Sequence, residues 1–160
     1  MRRFLSLAIA STFTLLFSAQ ASAQTLTFTA ALSGSNETPP VAATGAGGLA
    51  TITLNLTAQT LDWVVDVFNF PSGVTAGHIH AGGAGVAGPV VVNFTVPSPA
   101  SNDFRFTGTA GPANVVARPA QGVNSWEDLV QAILTGHAYV NVHSQANPGG
   151  EIRGQLVLKP

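Results

Sequence analysis

The sequence predicts an all-β domain: an antiparallel, Greek-key-like sandwich or small barrel with one short helix. Three observations carry that expectation. Apolar and polar residues alternate along 25–32, 49–56, 61–70 and 139–143, and shorter apolar stretches at 74–80, 89–96 and 103–107 lie between them. Alternation is the period of a half-buried strand. Turn signals separate these stretches, among them Pro71-Ser72-Gly73, the glycine-rich 81–88 and Asn147-Pro148-Gly149-Gly150. The composition, 46% hydrophobic with only 8% charged residues, suits a packed β domain rather than a disordered chain.

Taken in order, the first strand places Leu26, Phe28, Ala30 and Leu32 inward and its threonines outward. A loop from Ser33 to Pro40 follows, with Glu37 as its single charge. Ala50, Ile52, Leu54 and Leu56 line the second strand, and Thr57 to Thr60 forms a hairpin turn. The third strand buries Leu61, Trp63, Val65 and Val67 and turns Asp62 and Asp66 to water. Next comes Val74 to His80, in which His78 and His80 share a side and Ile79 faces the other. Pro89 opens an apolar strand reaching Val96, a position where proline is tolerated. Residues 103–107 form a further strand, and 111–122 reads as mostly loop. The helix starts at a cap on Asn124 or Ser125, carries Glu127 and Asp128 in its first turn, buries Trp126, Leu129, Val130 and Ile133, and stops at Gly136.

Residues 1–23 read as an export signal: Arg2-Arg3, an apolar stretch from Phe4 to Phe17, then Ala21-Ser22-Ala23 before Gln24. The expected organisation is therefore a signal peptide, 1–23, and one β domain, 24–160, secreted or periplasmic. Of six basic residues two belong to the signal, leaving four against seven acidic. No basic patch exists, which argues against nucleic acid as a partner. No second long apolar segment exists, so no membrane association is expected after cleavage. Cysteine is absent, so stability must come from the core or from a metal.

The chemistry concentrates in the last hairpin, His137 to Leu156. Tyr139, Asn141 and His143 share one face, with Val140 and Val142 on the other. After the turn, Glu151, Arg153 and Gln155 share a face, an alternation that Gly154 interrupts. Charges grouped on one sheet face of so apolar a chain must be paired, hydrated or bound to something.

Four motifs in order, Gly34-Ser35-Asn36-Glu37-Thr38-Pro39-Pro40, His78-Ile79-His80, Tyr139-Val140-Asn141-Val142-His143 and Gly150-Glu151-Ile152-Arg153-Gly154, resemble the CHRD domain. That domain is repeated in the secreted animal protein chordin and stands alone in many exported microbial proteins. The resemblance implies an extracytoplasmic β-sandwich-like domain. Its matching polar positions are Glu37, His78, His80, His143, Glu151 and Arg153. The partner it suggests is a protein or matrix ligand outside the cytoplasm, of unknown identity.

A His-x-His pair sets two imidazoles side by side, and His143 would add a third nitrogen if its strand lies near. Three histidines suit copper or zinc. Glu37 or Glu151 would complete the site or hydrogen-bond a ligating ring, with Asn141 and Arg153 in the same polar cluster. The competing reading is that Glu151, Arg153, His78 and His143 form a structural hydrogen-bonded network. His137, at the helix exit, is expected to stand apart. A small copper or zinc enzyme is the third reading. It is disfavoured because four histidines cannot build a two-metal dismutase site, and no Gly-x-Ser-x-Gly elbow is present.

Overall fold

The computed structural model describes residues 24–41, 44–97 and 102–160. The signal reading of 1–23 falls outside them. Nine strands form one sheet among these residues: β1 Thr25–Ser33, β2 Gly47–Asn55, β3 Thr60–Phe68, β4 Val74–Ala81, β5 Val90–Asn93, β6 Phe104–Ala110, β7 Ala138–Ser144, β8 Ile152–Gln155 and β9 Val157–Leu158. The single α-helix among the described residues, α1, spans Trp126–Leu134. All pairings are antiparallel, in the order β5-β4-β7-β8-β1-β2-β3-β6, with β9 on β1. The sheet curls into a nearly closed barrel, as one of the two expected architectures required.

The alternation seen in the sequence sets what is inside. Phe28, Ala30 and Leu32 of β1, Ile52 and Leu54 of β2, and Leu61, Trp63 and Val65 of β3 are buried together with Ile79, Val140, Val142 and Ile152. Phe94 leaves the end of β5 and stacks on Trp63, ring centroids 4.6 Å apart, with Phe106 of β6 at 6.2 Å. These rings tie β5 to β3 and β6, the elements that sheet hydrogen bonds leave apart. Strand β5 ends at Asn93, short of the expected 96; Phe94 still donates its amide to the Gly77 carbonyl of β4 at 2.9 Å while its ring packs inward.

Helix α1 is capped by Ser125, whose side chain accepts from the Asp128 amide. It buries Trp126, Leu129, Val130 and Ile133 and packs against β7. Gly136, at φ 73°, makes the left-handed exit. The 111–122 stretch holds two single 3-10 turns, Pro112–Asn114 and Pro119–Gln121. No helix among the described residues is long and apolar enough to cross a membrane.

Strand β7 is the hinge of the functional face. It pairs with β4 on one side and β8 on the other, and all seven of its residues are buried. Its inward valines meet the core. Its outward residues are Tyr139, Asn141 and His143, which the loops around 34–41, 82–89 and 145–150 cover. Gly154, which interrupts the polar pattern of β8, lies so close to β1 that a Cβ there would sit 2.4 Å from the Ala31 carbonyl oxygen.

Candidate metal centre

Register builds the site. His80 pairs with Tyr139 and Tyr139 with Gln155; His78 pairs with Asn141 and Asn141 with Arg153. His143 pairs with Ala76, whose short side chain leaves room for the imidazole to lean diagonally toward His78. The rings of His78 and His143 meet edge to face at 4.8 Å between centroids, and His78 and His80 at 5.5 Å. One nitrogen from each of His78, His80 and His143 lies within 4.8 Å of the other two.

Backbone carbonyls orient two of the rings. His80 Nδ1 lies 2.8 Å from the Gly88 carbonyl oxygen, and His143 Nδ1 lies 2.9 Å from that of Pro148. A carbonyl only accepts, so both Nδ1 atoms carry protons and both Nε2 atoms present lone pairs. His143 Nε2 faces His78 Nδ1 at 3.0 Å. His80 Nε2 is buried with no hydrogen-bond partner. A buried lone pair without a partner is unfavourable unless something fills the gap.

The electrostatics keep these rings neutral. Burial, followed by the nearby His143 and His80, pushes the His78 pKa from 6.5 down to about 4. Burial also lowers His80, against the Gly88 carbonyl, and lowers His143, against the Pro148 carbonyl. Neutral imidazole is the form that binds a metal.

The surrounding polar residues divide into two groups. Asn141 Nδ2 donates to both oxygens of Glu37, at 2.9 and 3.1 Å. Burial raises the Glu37 pKa despite Arg153, Asn141 and the Thr38 amide. Arg153 lies over the Tyr139 ring, 3.4 Å from its centroid, while His80 stacks on that ring at 4.9 Å. These residues adjoin the histidines. Glu151 does not: its carboxylate accepts from Ser144 Oγ, Thr44 Oγ1 and Asn147 Nδ2. Burial would raise its pKa, but these three donors together lower it. The expected sharing of a face by Glu151 and Arg153 fails because Glu151 precedes β8, where strand alternation does not yet apply. Glu151 stands outside the group of converging nitrogens, and its hydrogen bonds secure the 144–151 turn.

His137 is exposed and contacts Thr135 Oγ1 at 3.2 Å; it takes no part in the cluster. Two contributors escaped the sequence reasoning. Gly88 receives both His80 Nδ1 and the Tyr139 hydroxyl through its carbonyl, and its amide donates to that hydroxyl at 3.0 Å. Pro148 orients His143. Both act through backbone atoms, so residue type gives almost no signal; the glycine density of 81–88 was the one available hint.

No curated protein and no solved structure matches the chain significantly. The CHRD domain profile matches residues 28–156, a span that includes every residue of this face, and the chain thus belongs to the CHRD domain family.

Proposed function

We propose that this protein is an exported, non-catalytic CHRD-type module that binds one transition metal ion, copper or zinc, through one ring nitrogen each of His78, His80 and His143. Two observations carry the reading: one nitrogen from each of the three rings lies within 4.8 Å of the other two, and His80 Nε2 is buried without a hydrogen-bond partner. An all-nitrogen set suits these two metals better than calcium or magnesium, which prefer oxygen. Tetrahedral bonds near 2.0–2.1 Å place ligand atoms roughly 3.3 Å apart, so binding draws the rings inward by about 1.5 Å at the widest pair. His78, the half-exposed ring, has the freedom to turn. The Gly88 and Pro148 carbonyls already fix the other two.

The reading of a purely structural network, in a domain that binds an extracytoplasmic protein or matrix ligand, is favoured by the existing His78–His143 hydrogen bond. It leaves the orphaned His80 nitrogen unexplained. Copper and zinc titrations followed by calorimetry separate the two. Metal binding predicts one ion per chain in the wild type and at least a tenfold weaker affinity in His80→Ala, the loss of about 1.4 kcal/mol or more. Equal affinities favour the structural network.

A further inference from the structure

Arg153 and Glu37 also line a separate cavity of about 490 Å³, together with Asn36, Thr38, Ala84 and Gln155. The volume lies within the usual range for small-molecule sites, and none of the three histidines forms its walls.

The cavity holds two charges that do not meet. Arg153 is only 2% exposed, yet among the described residues the single ion pair joins Asp66 to Arg105. Of the five guanidinium donors, one contacts the Gly83 carbonyl at 2.8 Å and another reaches Thr38 Oγ1 at 3.4 Å. The flat face rests on Tyr139. A buried guanidinium with no carboxylate in ion-pair contact among the described residues is costly, and its fork suits one. Glu37 is also buried, with its oxygens on Asn141. It attracts Arg153 without pairing to it. A simple anion drawn to Arg153 therefore meets repulsion from Glu37, and a simple cation meets the reverse. A molecule carrying both charges gains from each.

We propose that this cavity binds a small zwitterion, an α-amino acid, with its carboxylate on Arg153 and its ammonium toward Glu37. Pro40, Ala84 and Gly85 on the walls leave the remaining space to a short side chain. The site is independent of the metal reading. Because amino acids chelate metals, the test uses metal-depleted full-length protein.

Calorimetric titration with L-alanine is compared with propionate, which lacks the ammonium, and ethylamine, which lacks the carboxylate. Saturable alanine binding is expected, with propionate and ethylamine at least tenfold weaker, the loss of one charge-assisted contact. Glu37→Gln and Arg153→Gln should each weaken alanine by a similar factor, while Asp62→Asn, on an exposed position of β3 away from the cavity, leaves it unchanged. Should Arg153→Gln fail to fold without its stack on Tyr139, Glu37→Gln and the ligand series decide. Absence of saturable alanine binding at millimolar concentration overturns the proposal. So does propionate binding as tightly as alanine, or Glu37→Gln binding as tightly as the wild type.

Discussion

At the scale of single residues, the side chains that matter are those whose environment contradicts their chemistry. His78 is an imidazole whose charged form is disfavoured by burial and by two other imidazoles. Its native pKa, about 4, lies below the unfolded value of 6.5. Between those values the unfolded chain binds more protons, so the His78 contribution to stability is complete above pH 6.5 and is lost as pH falls toward 4. His78→Asn removes that proton site, so its stability should fall less steeply than the wild type between pH 6.5 and 4 in denaturant melts. Identical slopes would show that His78 titrates as an exposed histidine. Glu151 is the second such residue. Glu151→Ala strands the buried Ser144 hydroxyl and the half-buried Asn147 amide and should cost roughly 2 kcal/mol or more. Asp62→Asn, on an exposed position of β3, should stay within about 0.5 kcal/mol. Equal small effects in urea melts would make Glu151 ordinary surface. The sequence singled out Glu151 as a polar residue needing partners, and the structure gives it Ser144, Thr44 and Asn147. Alternation predicts a side-chain direction only inside a strand, and Glu151 stands one residue before β8.

The elements show the same boundary between local and long-range information. Strands β1, β2, β3 and β7 and helix α1 were legible because each carries a full period of alternating or helical apolar residues. The ends of β5 and β6 were not. The expected 89–96 strand ends at Asn93 although the Phe94 amide still bonds Gly77 of β4, and Phe104–Ala110 runs longer than its weak apolar pattern suggests because β3 pairs along its whole length. The 145–150 turn was legible as a turn, yet its work is to press on the site. Gly150, at φ 135°, leaves no room for a side chain: a Cβ would meet Asn141 Nδ2 at 2.8 Å and Glu37 Oε1 at 2.9 Å. Gly150→Ala should therefore destabilise by about 1–3 kcal/mol from backbone strain alone, and should displace the Pro148 carbonyl that orients His143. Thermal melts check the first effect. The His143 ring signals in NMR check the second, and unchanged signals would detach the turn from the site. At α1, Ser125→Ala removes the observed cap and should cost about 1 kcal/mol.

At the scale of the whole molecule, hairpins could be read from the chain but their arrangement could not. The pairings of β4 with β7, of β3 with β6 and of β1 with β8 join distant segments, and no local pattern dictates them. The first of these brings His78 and His80 to His143, so the convergence of the three rings is a property of topology. What the sequence supplied was side: each of the three alternates outward, and His137, beyond the helix exit, does not join them. The same topology sets Arg153 and Glu37 beside the histidines around Asn141 and Tyr139. The proposed export belongs to this scale too: intact mass of the natural product is expected to show a chain beginning at Gln24, and retention of Phe4 to Phe17 would reject the proposal. The central claim is that three imidazoles from two strands hold one ion. X-ray absorption at the metal edge of zinc- or copper-loaded protein tests it most directly. The account predicts three imidazole nitrogens at about 2.0–2.1 Å, and a shell dominated by oxygen, with no imidazole scattering, would contradict it.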